Sequence, residues 1–384
     1  STRHWVSPPA LRLPRSKDLT GVTSPRCFTT RMRTAILSRS ACVSCVEGEN
    51  HVNNNLANEP ARVAAMYRKM LIIRAFEEAA GENFFAGHVR GSVHQYIGEE
   101  SIAVGICENL RDDDYLMSNH RGHGHSIAKG AHPRAMMLEL FGKQGGTSNG
   151  KGGSMHIADF SVGMLGANGV IADGCTMSVG AAQAIKLLKQ DRIIVNFIGD
   201  GGINRGPFME ALNWAKVYDL PVLFVCENNQ IAATTTTRLV TAGEGIAKRA
   251  ESFGIPAVTI DGNDLFEVDG TAARVISEIR SGSGPQLIQA MTYRLRGHFA
   301  HDDAGYRPEG EAEAALKHEP IARTEAWLRE NGLDQDELDA MRDAVATEIA
   351  GYVEDAKNAP WPDPARAFAD VQDVGAPGVP EYIR

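Results

Sequence analysis

The sequence contains no run of eighteen apolar residues, so nothing in it reads as a membrane span. It has no excess of positive charge either. Its 39 Lys and Arg face 48 Asp and Glu, and the net charge of −9 argues against nucleic acid as the main partner. Cysteine is scarce: Cys27, Cys42, Cys45, Cys107, Cys175 and Cys226 are the only six, and they show no disulfide framework. Cys42-x-x-Cys45 is a lone pair without a second pair or a strand–helix context, while Cys107 and Cys226 sit in apolar runs and read as core. This usage points to a reducing compartment. Internal repeats are absent. No Gly-x-Gly-x-x-Gly opens the fold with an acid about twenty residues on, which counts against a nicotinamide-dinucleotide enzyme.

Acids are also nearly missing from the start of the chain. Residues 1–46 carry seven arginines and Lys17 against Asp18 alone, a local charge of +7 that leaves −16 for the remainder. An Arg- and Ser-rich, acid-poor leader has the composition of an organelle transit peptide, and equally that of a disordered tail or of a stretch upstream of a start at Met32. The expected location is the cytoplasm of a bacterium, or the mitochondrial matrix if the leader is a transit peptide. Residues 1–55 are set apart from the fold on these grounds.

The remaining chain has the balance of an ordinary globular protein, 43% hydrophobic and 23% charged. Asn58 and Pro60 open a helix with Val63, Met66, Tyr67, Met70 and Ile73 on one face. A second helix fits 99–109, followed by loop 117–125, helix 133–141, loops 143–154 and 163–175, and helix 176–189. Residues 192–198 and 222–226 read as buried strands around a helix at 207–218. Further strands fit 256–260 and 286–292, with a helix near 265–280. Alternating strands and helices predict an α/β fold, a parallel sheet covered by helices on both faces, over residues 56–310. Residues 311–384 read as a helical extension and an extended Pro-rich tail. Asp334 and Glu337 form a capping pair there, and Leu338, Met341, Val345, Ile349 and Val353 form one stripe.

Chemistry concentrates in Gly199-Asp200-Gly201-Gly202 and Asn228-Asn229. Strand 192–198 delivers Asp200 at its carboxyl end, and strand 222–226 delivers Asn229 at its own. A right-handed crossover through helix 207–218 brings both to one edge of the sheet, where α/β proteins bind ligands. One carboxylate, one amide oxygen and bare glycine backbone at Gly201 and Gly202, facing a helix N-terminus, suit an octahedral Mg2+ that shares its shell with phosphate oxygens.

Gly-Asp-Gly followed after 25–30 residues by Asn-Asn resembles the thiamine-diphosphate fingerprint. Residues 60–370 resemble the alpha subunits of thiamine-diphosphate-dependent 2-oxo-acid dehydrogenases of the pyruvate, branched-chain and acetoin types. The resemblance implies Asp200, Asn229 and the Ile231 carbonyl as ligands of Mg2+, in a thiamine-diphosphate-binding fold. Ser118-Asn119-His120-Arg121-Gly122-His123-Gly124-His125 resembles the loop whose arginine contacts the diphosphate; Arg121 has a guanidinium suited to two phosphate oxygens, and His120 stands where many relatives carry tyrosine. Ser92-Val93-His94-Gln95 resembles the segment whose histidine approaches substrate. Gly166-Ala167-Asn168-Gly169-Val170-Ile171 resembles the seat of the aminopyrimidine ring, with Gly169 supplying backbone and Ile171 apolar support. Tyr293-Arg294-Leu295-Arg296-Gly297-His298, continuing to Arg307, resembles the flexible active-site loop. There His298 is expected over the diphosphate, with a role in proton transfer near pH 7.

The implied reaction decarboxylates a 2-oxo acid, pyruvate first, and passes the acyl group to the lipoyl domain of a transacylase. Acetoin cleavage is the alternative, with branched-chain substrates and a non-catalytic paralogue behind it. The implied assembly is a heterotetramer of two alpha and two beta chains, because only one α/β module is present and the family's pyrimidine-protonating glutamate lies on the beta chain. Three positions depart from the family pattern. Gln230-Ile231-Ala232 follows Asn-Asn where tyrosine and small residues are common. Asp173 stands beside Ala172 where relatives have glycine or alanine. Phe299 occupies the place of a regulatory serine.

Overall fold

The computed structural model describes residues 56–369. The leader with its Arg-rich composition, Cys27, Cys42 and Cys45 and the end of the Pro-rich tail lie outside the described residues. Helix α1 (Pro60–Phe85) begins with proline at its first position and buries Val63, Met66, Tyr67, Met70 and Ile73 completely. Helix α2 (Glu100–Cys107) leads to strand β1 (Tyr115–Asn119), then helices α3 (His123–Lys129) and α4 (Pro133–Leu140). Strand β2 (Met164–Asn168), helix α5 (Asp173–Leu187), strand β3 (Ile194–Gly199), helix α6 (Gly206–Val217) and strand β4 (Val222–Asn228) follow. A two-residue-per-strand hairpin, β5 (Ile231–Ala232) with β6 (Thr235–Thr236), projects from the end of β4. Helix α7 (Ile246–Ser252), strand β7 (Ala257–Asp261), helix α8 (Leu265–Glu278) and strand β8 (Gln286–Met291) complete the sheet. Short helix α9 (Glu311–Ala315), α10 (Pro320–Glu330) and α11 (Gln335–Asn358) follow, and a 3-10 turn at Pro364–Phe368 comes after them.

Six strands form one parallel sheet in the order β2-β1-β3-β4-β8-β7. Alternate residues of the central strands face opposite ways, as a pleat with period two requires. Val195, Phe197, Leu223, Val225 and Ile288 join one apolar cluster with α1, α2 and α8, and Ile194, Ile198, Val222, Phe224 and Cys226 join a second with α5 and α6. The sheet is therefore covered on both faces, which is why its inner strands read as continuous apolar runs. Cys107 and Cys226 are buried free thiols, and Cys175 joins them.

Two strands went unread. The stretches 117–125 and 163–175, expected to be loops, contain the end of β1, the start of α3, β2 and the first turn of α5. Tyr115–Asn119 and Met164–Asn168 hold no Val, Ile or Thr and end in polar residues, so local preference gives little sign of a strand. Their pairing comes from tertiary context: β1 lies between β2 and β3. The chain thus leaves β1 toward one side to make β2 and returns to the other side to make β3. Such a reversal opens a crevice at the carboxyl ends of β1 and β3.

The charged extension packs as its stripe requires. Leu338, Val345, Ile349 and Val353 are buried, and Met341 packs against the same cluster from a partly exposed position. Asp334 accepts from the Glu337 amide at 2.8 Å while Glu337 accepts from the Asp334 amide at 3.0 Å, a complete capping box.

Candidate active site

The register Gly199↔Glu227 and Asn228↔Met291 sets the ends of β3, β4 and β8 side by side, so Asp200 and Asn229 emerge at the same edge. Both line one cavity of about 240 Å³, together with His120, Arg121, Ile171, Gly201, Gly202, Ile231 and His298. Asp200 opens a 3-10 turn, Asp200–Asn204, that intervenes before α6. Its side chain is 3% exposed, and Oδ2 has no hydrogen-bond partner among the described residues. Burial pushes the carboxyl up to about 6, with the Thr237 hydroxyl and the Gly201 amide pulling the other way. A buried carboxylate oxygen with no donor fits a cation better than a structural role. Asn229 donates to Glu99 Oε1 at 3.1 Å and accepts from the Ile231 amide at 3.2 Å, so the amide plane is fixed. The backbone turns sharply here, with Gln230 and Ala233 both in the left-handed region at φ 64° and 54°.

The two glycines after Asp200 have a packing reason in addition to the expected one. A Cβ at Gly201 would stand 2.7 Å from the Ala232 Cβ, and one at Gly202 would stand 2.8 Å from the Ile198 side chain. Side chains at these positions would push the hairpin and the strand end away from the cavity floor.

Arg121, 5% exposed, donates to the Gln95 carbonyl at 2.6 Å and to the His298 carbonyl at 3.1 Å, with Nε 3.9 Å from Glu99. It ties the 94–99 segment and the 294–307 loop to the end of β1. Gly98, at φ 100°, completes that junction, since a Cβ there would lie 2.6 Å from the Tyr293 carbonyl. The loop is braced from within. Asp302 accepts from the His298 amide at 2.5 Å, the Ala304 amide at 2.9 Å and the Tyr306 hydroxyl at 2.9 Å.

The rings of His94, His120 and His298 meet at this junction. Centroids of His94 lie 4.7 Å from His120 and 4.9 Å from His298, and those of His120 and His298 are 5.4 Å apart. His94 sits behind the cavity lining, through its contacts with the other two rings. None of the three Nδ1 atoms has a partner among the described residues. Burial, then the Arg121 charge, lowers His94 to about 3 and His298 to about 4, and holds His120 well below its ordinary value. All three shifts favour the neutral ring. Gly169 stands apart, beside the His156 ring and outside the cavity lining, whereas Ile171 lies on it.

Three charged residues of the cavity wall were not singled out from the sequence. Arg294, 2% exposed, donates to Tyr306 at 3.0 Å and to the Ala233 carbonyl at 3.3 Å. Glu99 is pushed up to about 7 by burial and by Glu227. Glu227 accepts from Tyr96 and pairs with His125 Nε2 at 2.8 Å. Its place was recoverable, because a residue next to Asn228 on the partner of a strand ending in Gly199 must reach the same edge. Gly98-Glu99-Glu100 follows the His94 segment and shares its resemblance, which assigns Glu99 no role of its own.

Residues 68–365 match the family model described as the dehydrogenase E1 component. The alpha subunit of an acetoin:2,6-dichlorophenolindophenol oxidoreductase from Cupriavidus necator is 45% identical over 308 residues, 80% of this chain and 92% of the relative. Its counterpart from Bacillus subtilis is 42% identical over 306 residues, 80% of this chain and 92% of the relative. The pyruvate dehydrogenase E1 component subunit alpha of Rhizobium meliloti is 36% identical over 307 residues, 79% and 88% respectively.

Proposed function

The chain belongs to the dehydrogenase E1 component family, and on that premise we propose that it is the alpha subunit of a thiamine-diphosphate-dependent dehydrogenase that decarboxylates pyruvate and transfers the acetyl group to a lipoyl domain of a transacylase. The observation that carries this reading is the buried Asp200 carboxylate, whose Oδ2 has no partner among the described residues, sharing a cavity with Asn229, Arg121 and Arg294. Asp200, Asn229 and the Ile231 carbonyl would hold Mg2+, and Arg121 would take the diphosphate oxygens left over. Thiamine diphosphate, when bound, supplies the carbanion chemistry of the reaction. Ile171 gives the cavity an apolar wall.

The protein's own residues then bind, orient and exclude water. The neutral rings of His94 and His298 each offer an unpaired Nδ1 to a substrate oxygen, without a full charge to be desolvated. Arg121, by gripping the Gln95 and His298 carbonyls, ties together the two segments that carry these rings. The beta chain is proposed to complete the site in a heterotetramer of two alpha and two beta chains. The compartment is proposed to be reducing, bacterial cytoplasm first. Among the described residues no helix is long and apolar enough to cross a membrane.

Acetoin is the second reading, favoured by the 45% and 42% identities to the acetoin enzymes against 36% to the pyruvate enzyme. Pyruvate and acetoin share the CH3–CO group and differ in what leaves, carbon dioxide or acetaldehyde. A pocket separates such substrates by about 1–3 kcal/mol per apolar group unless a buried polar partner is at stake. Co-expression with the beta subunit, followed by assay of pyruvate, acetoin and branched 2-oxo acids, tests the reading. Turnover of pyruvate dependent on the beta chain supports it; full turnover by the alpha chain alone overturns the heterotetramer.

A further inference from the structure

We propose that His94, His120 and His298 form a second metal site, a three-imidazole pocket for a divalent transition metal of the Zn2+ type, distinct from the all-oxygen site at Asp200 and Asn229. The ligand nitrogens of the three rings all lie within 4.8 Å of one another. A tetrahedral Zn2+ with Zn–N bonds of about 2.0–2.1 Å sets its ligands about 3.3–3.4 Å apart. Closing that difference takes a shift of the rings, and the three are carried by separate segments. His94 lies on the stretch before α2, His120 follows β1, and His298 sits on the 294–307 loop.

One property makes these rings ligands rather than packing. Each keeps a buried Nδ1 with no partner among the described residues, and a native protein leaves few such atoms unsatisfied. Imidazole selects Zn2+, Cu2+ and Ni2+ over Mg2+, whereas the oxygens at Asp200 and Asn229 have the opposite preference. The two sites therefore sort ions by ligand chemistry across one cavity.

Charge around the rings shapes what binds. Arg121 and Arg294 both act on His298 and oppose a bare dication, and Glu99, 3.9 Å from Arg121 Nε, offsets part of that. Three protein ligands leave a fourth position open, and the two arginines favour an anion in it. Occupation of the site engages the nitrogens that the proposed function assigns to substrate. Inhibition of turnover by Zn2+ is thus a consequence that rests on that reading, whereas metal binding itself does not.

Cobalt(II) is the probe, added to the full chain assembled with its beta subunit and saturated with Mg2+. Low-coordinate Co2+ on three nitrogens absorbs visible light strongly, and octahedral Co2+ on oxygen absorbs weakly. The expected result is one strongly absorbing Co2+ per alpha chain, displaced by Zn2+ and not by Mg2+. His120→Asn and His298→Gln are each expected to weaken it more than about tenfold, and Asp200→Ala is expected to leave the bands in place. Absence of the bands, their survival in both histidine variants, or their loss in Asp200→Ala overturns the site. Should His120→Asn fail to fold, His298→Gln decides, since that ring sits on a loop outside the sheet. Should Asp200→Ala lose thiamine diphosphate and keep the cobalt bands, the functional reading and the metal site stand separately.

Discussion

One short run, His120-Arg121-Gly122-His123-Gly124-His125, divides between two regions that use the same side chain in opposite ways. His123 and His125 point inward and have both ring nitrogens engaged. His123 pairs with Glu77 at 2.9 Å and the Ser154 carbonyl at 3.0 Å; His125 pairs with Ser118 at 2.8 Å and Glu227 at 2.8 Å and stacks on Phe197 with centroids 3.9 Å apart. His120 points to the cavity with Nδ1 unpaired. The carboxylates divide in the same way: Glu227 has two partners, Asp200 keeps an oxygen with none. Burial alone does not mark the site, since every one of these groups is largely withdrawn from water. Within this comparison a missing partner is what sets Asp200 and His120 apart from Glu227, His123 and His125, and a ligand there would return what desolvation removed.

The sharpest way to break this contrast is His125→Ala. It takes the ring partner from the Ser118 hydroxyl, takes one of the two donors from Glu227 Oε1 and removes the stack on Phe197, at a cost on the order of 3–5 kcal/mol in stability. A denaturation midpoint within 1 kcal/mol of wild type would show that the partnered histidines are not scaffold.

Asp200→Asn should behave in the opposite sense. Raising that carboxyl from its ordinary 3.8 to about 6 costs the ligand-free protein about 3 kcal/mol at pH 7, a cost the amide avoids. The variant is expected to melt no lower than wild type while its Mg2+-dependent affinity for thiamine diphosphate falls more than about a hundredfold, equivalent to about 2.7 kcal/mol. Calorimetric titration of both proteins measures it, and undiminished affinity removes Asp200 from the metal site.

How far this division was visible beforehand follows from the same physics. Strands β3, β4 and β8 were legible because two-sided burial makes them uniformly apolar, and Asp200 and Asn229 were legible because they stand at the ends of two such strands. β1 and β2 were not, since Tyr-Leu-Met-Ser-Asn and Met-Leu-Gly-Ala-Asn lack β-branched residues and their pairing is decided by neighbours far along the chain. Which histidine of the run meets Glu77, which Glu227 and which neither depends on contacts 46 and 102 residues away in sequence. No local pattern encodes that. Arg294 and Glu99 were hidden for the same reason, each being an ordinary surface charge until the loop and the α2 start close over it.

The unpartnered rings also leave a signature in acid. His94 is held at about 3 in the folded protein against 6.5 when unfolded. Below pH 6.5 the unfolded chain takes up a proton that the folded one refuses, so stability is lost as pH falls and goes on falling toward pH 3. Between pH 6.5 and 5 this amounts to about 2 kcal/mol from His94 alone. His94→Gln removes it, and urea titrations at a series of pH values should show unfolding coupled to about one proton fewer than in wild type. Equal slopes would mean that His94 already finds a partner in solution.

Asp173 gives the smallest effect and the cleanest separation of site from scaffold. It departs from the family pattern next to the expected seat of the aminopyrimidine ring. It occupies the first turn of α5, behind Ala172 in the left-handed region at φ 70°, and is absent from the cavity wall that Ile171 and Ala172 form. A carboxylate in a first turn meets the positive end of the helix dipole, an interaction worth about 0.3–1 kcal/mol. Asp173→Asn is therefore expected to lower stability by no more than about 1 kcal/mol and to leave the ratio of kcat/KM for pyruvate and acetoin unchanged. A shift in that ratio at unchanged stability would return Asp173 to the site and move the boundary between the two regions one turn into α5.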